Sequence, residues 1–470
     1  MRSRTNRRRS VGWSVGAALA GAAVAAAVLF GGGVAGAAKH RIAAADQFLK
    51  AVHTPLKLRV GSDPAEVRYD ISCLPPDGNA EGAGTCDGGG TVYFHSSTNR
   101  YAAVPLRLDT SADVGRYVAQ VPSSIWSAPW FDYYAVVKDN STGQTVAVPP
   151  GGSAAPQLSF LVGSAAIDLG THVFGAVREP DAVVASAAWG TGPGEVGLED
   201  GIDMPAGAAS FDVDPSGTIY LLDEANSRML EFSGGSAPTE IGLPGLTGVR
   251  ADLKVDASAG RAYVLETQSA RQPRPVLRTF TLQGAPVSVA PVADRAAAQV
   301  RLVGGTAYVS QYPSSLWAPV AQNDGASPVD VSVQLQGGVS GAPSPAGNVV
   351  VQSLGDEIRA GVYTGRGLTT QLQSSVRLLG GTHVADVQLA QLLPSGDLVL
   401  VFSVFTDSEH EYEVAVVDPS GALATEFSVP ALEWAQSMPL SRFRLVGSSL
   451  YELGSTSAGI VVDRYDLGVS

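Results

Sequence analysis

Few residues in this chain have types and spacing suited to chemistry, and the densest group lies between 210 and 226. There the chain reads SFDVDPSGTIYLLDEAN: from Asp212, the acids, the serine, the turn glycine Gly217 and the acid Asp223 at the twelfth place follow the ligand order of a calcium loop. Such a loop is held between two helices. Its flanks here, GAASF and RMLEFSG, are short, glycine-bounded and strand-like, so the stretch is read as an acidic β-hairpin. Calcium is the only cofactor it suggests, and no other is expected. A second cluster, TDSEHEY, gathers Asp407, Glu409, His410 and Glu411, the composition of an ion or cationic-ligand site and equally of a solvated loop tip. Tyr312 and Trp317 offer aromatic faces for carbohydrate or peptide.

Catalytic signatures are thin. The chain has neither a G-x-S-x-G elbow nor an H-E-x-x-H helix, and from 181 onward its histidines are His383 and His410. No position expected on an inner strand carries a repeated acid or amide.

What positions these residues follows from the pattern of the whole chain. Five arginines without an acid precede a long Ala/Val/Gly-rich run that ends near Ala35-Gly36-Ala37, so residues 1–38 are read as an export signal or an N-terminal membrane anchor. Either form puts the rest outside the cytoplasm. Losing that segment takes the net charge from −13 to −18, which disfavours nucleic acid as a partner. Cys73 and Cys86 flank the loop LPPDGNAEGAGT, and two cysteines so close in an oxidising compartment most simply form one disulfide.

Residues 39–54 have the pattern of a short linking helix. Over 55–150, runs such as EVRYDISC, TVYFHSS, GRYVAQVP and FDYYAVVKD alternate between turn residues, as in a small immunoglobulin-like or fibronectin III-like β-sandwich. The Pro/Gly/Ser/Ala stretch PPGGSAAPQ at 149–157 then reads as a boundary, with 151–180 as linker. From 181 to 470 a different unit recurs: strand, glycine turn, strand, at Gly217, Gly260, Gly305, Gly347, Gly396 and Gly447. Repeats of about 40–50 residues with four short strands each predict a β-propeller, here of six blades. The last unit is one strand short, so a strand from within 158–190 is expected to close it.

Residues 190–233, GTGPGEVGLEDGIDMPAGAASFDVDPSGTIYLLDEANSRMLEFS, resemble an NHL repeat in the G-x-G turn, the D-x-x-G hairpin and the box Asp223, Asn226, Arg228, Met229. The other five units keep the period and lose the box. The whole arrangement is similar to secreted actinobacterial proteins of unassigned function, which implies a fold and a compartment but no reaction.

In propellers, the connections between second and third strands lie on the face where ligands usually bind. That places Asp223, Asn226, Arg228, Tyr312, Trp317, Asp356, Glu357, Asp407, Glu409 and His410 on one rim. The expected function is therefore recognition of an extracytoplasmic protein, peptide or glycan, with the membrane met only through the N-terminal segment. The alternative is a metal-dependent propeller hydrolase or lactonase.

Overall fold

The computed structural model describes residues 48–469, apart from 75–85, 98–99, 113–114, 200–204, 235–236, 249, 270–271, 312–314, 381–383 and 436–439. The expected leader over 1–38, the first part of the expected helix, Tyr312 and His383 lie outside the described residues. No helix among the described residues is long and apolar enough to cross a membrane.

Two facing sheets form the first module. One holds Phe48–Val52, Glu66–Leu74, Arg116–Gln120 and Arg107–Leu108 in that order; the other holds Leu58–Arg59, Gln157–Leu161, Trp130–Asp139, Gly88–His95 and Ala102–Pro105, with Thr145–Val148 also beside Trp130–Asp139. The alternation in WFDYYAVVKD turns Phe131, Tyr133, Ala135 and Val137 inward, where they meet Tyr69, Ile71, Val92 and Phe94. Burying each large side chain is worth about 1.5–3 kcal/mol, and this shared layer holds the sheets face to face.

Two expectations for this region change. Phe48–Val52 is a strand rather than part of a helix: it pairs antiparallel with Glu66–Leu74, Leu49 opposite Cys73. An isolated helix so short is marginal, whereas the strand gains a hydrogen-bonded partner and packs Leu49 and Ala51 on the core. The stretch PPGGSAAPQ is no boundary either, because Gln157–Leu161 pairs with Trp130–Asp139 on one side and Leu58–Arg59 on the other. The expected Cys73–Cys86 disulfide is present. Cys73 lies on one sheet and Cys86 leads directly into Gly88–His95 of the other, so the bond also fastens sheet to sheet.

Among the described residues, six further antiparallel sheets follow. The first runs Phe211–Val213, Ile219–Asp223, Arg228–Phe232 and Thr239–Gly242, each strand pairing with the next. Later sheets begin at Ala251–Asp256, Val300–Val303, Ala342–Ser344, Val384–Leu392 and Phe443–Val446. Each sheet meets the next through these first strands, except that Gly347–Ser353 of the fourth sheet meets Val384–Leu392 of the fifth, and the sixth returns to the first, so they enclose an axis. Apolar layers fill the spaces between sheets: Leu222 and Met229 of the first meet Leu253 and Val264 of the second, while Leu221 and Leu230 meet Leu453 and Val462 of the sixth. The glycines that set the period, at 217, 260, 305, 347, 396 and 447, all adopt positive φ, the conformation that the hairpin turn requires and a Cβ resists.

The segment leaving the first module runs along the outer edges of three consecutive sheets. Ile167–Asp168 adds in parallel to Gln371–Leu379 of the fourth sheet, Val177 bridges to Ser428 of the fifth, and Ala182–Ala188 pairs antiparallel with Gly459–Asp466 of the sixth. The sixth sheet thus gains its fourth strand from far upstream. His172 on this strap stands 2.9 Å from Glu411 and 3.3 Å from Glu413, and Gly175 N donates to Glu411 Oε1 at 2.7 Å.

Candidate functional site

The three acids of the calcium-like stretch part company. Asp212 is fully buried and accepts from Val255 N at 2.7 Å, on the neighbouring sheet. Asp214 closes the turn by accepting from Ser216 N, Ser216 Oγ and Thr218 N. Asp223 accepts from Arg228 Nε at 2.9 Å and from Gly197 N at 3.0 Å. Asn226 Nδ2 donates to Gly190 O and Asp223, and Arg228 Nη2 donates to Gly192 O and Glu195 O. The Asp-Asn-Arg box thus pins down the glycine-rich loop that precedes its own sheet. Its donors and acceptors are spent inside the protein.

A second part of the rim is covered by the first module. Gln352 Oε1 accepts from Leu58 N at 2.8 Å and Lys57 N at 3.1 Å, and Lys57 Nζ lies 3.4 Å from Ser315 Oγ. Glu357 accepts from Arg359 Nε at 2.8 Å and Arg377 Nε at 2.5 Å. Burial opposes its charge, but these two guanidinium hydrogen bonds outweigh it and hold Glu357 at about 2. Asp356 beside it is exposed. Below, Leu58, Val60, Phe160 and Val162 pack on Val350 and Tyr363 of the fourth sheet. A cleft of about 410 Å³ remains between the two modules, lined by His53, Asp63, Arg68, Arg116, Gln352 and Arg359 among others. Trp317 is buried and carries the Arg301 guanidinium 5.5 Å from its ring centroid, so it is a packing residue rather than an open face.

The fifth and sixth sheets present the open part. Asp407 and Glu409 are exposed on a turn closed by Thr406 Oγ1, which accepts from Ser408 N and Glu409 N. His410 bridges from Ser403 Oγ at 2.7 Å to Glu433 Oε2 at 3.1 Å. Glu433 also accepts from Tyr412 Oη at 2.8 Å and Arg442 Nη2 at 2.9 Å. Burial works against this carboxylate too, and His410, Arg442 and Tyr412 together bring it down to about 2. Its charge is fixed at any physiological pH.

Next to it Trp434 is 41 % exposed and stacks on Trp189, centroids 6.0 Å apart, while Trp189 Nε1 donates to Thr456 O at 2.8 Å. An indole held from behind, with its outer surface open beside a fixed carboxylate, can stack on a sugar or a planar side chain and accept its hydrogen bonds.

The sequence pointed to Asp407, Glu409 and His410 but missed Glu433, Trp434, Trp189 and Arg442. The last four lie outside the connections between second and third strands, and only the closing of the ring brings them to His410. Inner strands also carry acids where none was expected to recur, Asp212 and Asp252, both turned toward backbone amides of the next sheet.

No family model matches the chain, and neither does any curated protein. Among solved structures, virginiamycin B lyase from Staphylococcus aureus is 9% identical with a TM-score of 0.33, covering 55% of this chain and 94% of that one. YCF48 bound to D1 peptide is 14% identical with a TM-score of 0.30, over 60% and 86%. Apo AztD from Citrobacter koseri is 13% identical with a TM-score of 0.25, over 90% and 92%. These are propeller proteins, and the closed cycle of meander sheets described above is a β-propeller in its own right.

Proposed function

We propose that the protein is an extracytoplasmic recognition protein: a six-bladed, NHL-like propeller preceded by an immunoglobulin-like or fibronectin III-like sandwich, exported and secreted or held at the envelope by its N-terminal segment. Its ligand is a protein, peptide or glycan taken on the open rim of the fifth and sixth sheets. The observation that carries this reading is Trp434, exposed and backed by Trp189 beside the Glu433–His410 pair. The Cys73–Cys86 disulfide supports the compartment. Because the first module covers the rim at the third and fourth sheets, the ligand face is one sector of the ring rather than its whole circumference.

The hydrolase alternative needs axial carboxylates free to hold a metal. Asp212 and Asp252 are committed to backbone amides and to Lys254 and Arg444, which favours recognition over turnover.

Affinity capture from envelope extract with wild type, Trp434→Ala and a triple variant with Asp407, Glu409 and His410 changed to Ala tests the reading. Wild type is expected to retain a partner that both variants lose. A partner held equally by all three, or none held by wild type, overturns the rim assignment.

A further inference from the structure

The propeller axis carries a charge imbalance that the rim does not use. First strands of four sheets bring together Asp212, Asp252, Lys254, Arg301 and Arg444. Lys254 Nζ lies 2.7 Å from Asp212 Oδ1. Arg444 reaches across from the sixth sheet: its Nε donates to Phe211 O at 2.8 Å, and its Nη2 to Asp252 Oδ1 at 3.1 Å and Leu253 O at 2.7 Å. Both carboxylates are fully buried and otherwise engaged: Asp212 Oδ2 accepts from Val255 N, while Asp252 accepts from Val300 N and Ser210 Oγ. Two cations therefore use up two carboxylates.

Arg301 is the third cation. One side of it is taken by the Trp317 ring at 5.5 Å, and among the described residues no carboxylate comes within ion-pair distance of its guanidinium. The side chain is half-buried. Burial and then the Arg444 charge push Arg301 down to about 10, against the opposing pull of the Asp252 carboxylate, so it stays protonated at neutral pH.

We propose that this cluster of three cations and two carboxylates binds a small oxyanion, with the Arg301 fork as its principal ligand and Lys254 and Arg444 on its flanks. A guanidinium gives two parallel N–H donors to a carboxylate or phosphate. Neither source of such an anion, a free ion or the end group of a larger molecule, alters that chemistry.

The test is thermal unfolding of the full chain in inorganic phosphate against sodium chloride at matched ionic strength, repeated with acetate. Phosphate at a hundredfold excess over its dissociation constant is expected to raise the melting temperature by about 5 °C over chloride. Acetate giving the same shift assigns the site to carboxylates as well as phosphates, still as an oxyanion site. Arg301→Gln is expected to abolish the shift, and Arg116→Gln, at the cleft between the modules, to keep it. If Arg301→Gln does not fold, Arg301→Lys carries the test by weakening phosphate about tenfold in titration calorimetry, since it keeps the charge and loses the fork. Equal melting in phosphate and chloride, or a shift that survives loss of the Arg301 guanidinium, overturns the proposal.

Discussion

Arg359 Nη2 donates to Asp63 Oδ1 at 3.0 Å while its Nε donates to Glu357 at 2.8 Å, so one guanidinium on the propeller grips a sandwich carboxylate and a rim carboxylate together. Its Nη1 also donates to Leu58 O at 3.1 Å. The two modules therefore meet through a buried, charge-assisted joint rather than through a flexible tether.

Asp63→Ala removes the sandwich half of that joint and leaves Val60 N without its acceptor. We expect a loss of about 2 kcal/mol in urea unfolding, with faster amide exchange at Leu58 and Val60. Unchanged exchange there would mean that the apolar contact of Phe160 with Tyr363 alone holds the modules.

Arg228→Met leaves Asp223 buried without its cation and frees the carbonyls of Gly192 and Glu195. Breaking a buried pair from one side costs about 3–5 kcal/mol. Amide exchange is expected to rise first at Gly192 and Gly197. Ligand capture by the folded fraction should be unaffected, because this box faces inward.

The pH dependence has a definite sign. Burial raises Glu224 and Glu452 to about 8, against 4.5 when exposed. Between those values the folded protein holds protons that the unfolded chain releases, so stability is full below about 4.5 and falls as pH rises through 8. Glu357 and Glu433, depressed to about 2, act the other way: their contribution is present above 4.5 and is lost only as pH falls through 2. Melting temperature is thus expected to decline from pH 5 to pH 8, and Glu224→Gln to flatten that decline while matching wild type at pH 5. A variant slope equal to wild type would remove Glu224 as its source.

Replacing Cys73 and Cys86 by Ser opens a link across 13 residues that joins the two sheets of the sandwich. About 3 kcal/mol is expected to go from that module. Calorimetry should show a sandwich transition moved down with the propeller transition in place, and a reductant should reproduce the shift in wild type.

Much of the architecture was legible because it is written locally. Gly217 and Gly396 each turn a hairpin through a positive φ that other residues resist, and such turns at a regular interval define the repeat without any tertiary knowledge. The pairing of Asp223 with Arg228 was legible for the same reason, since they stand five positions apart in one hairpin. Where partners are distant, local grammar is silent. Glu433 meets His410 and Arg442 only after the fifth and sixth sheets stack, and Trp189 meets Trp434 only after the strap has run round the outside. The strand at Phe48–Val52 was misjudged because its best partner is an edge that its own sequence does not contain.

The strand Ala182–Ala188 precedes the first strand of every sheet in the ring, and its partner, Gly459–Asp466, follows all the others. The early strand must wait unpaired while the sheets between them are synthesised, and the circle cannot lock until that distant partner arrives. A chain cut short anywhere before Gly459 would carry an unsealed seam on both sides.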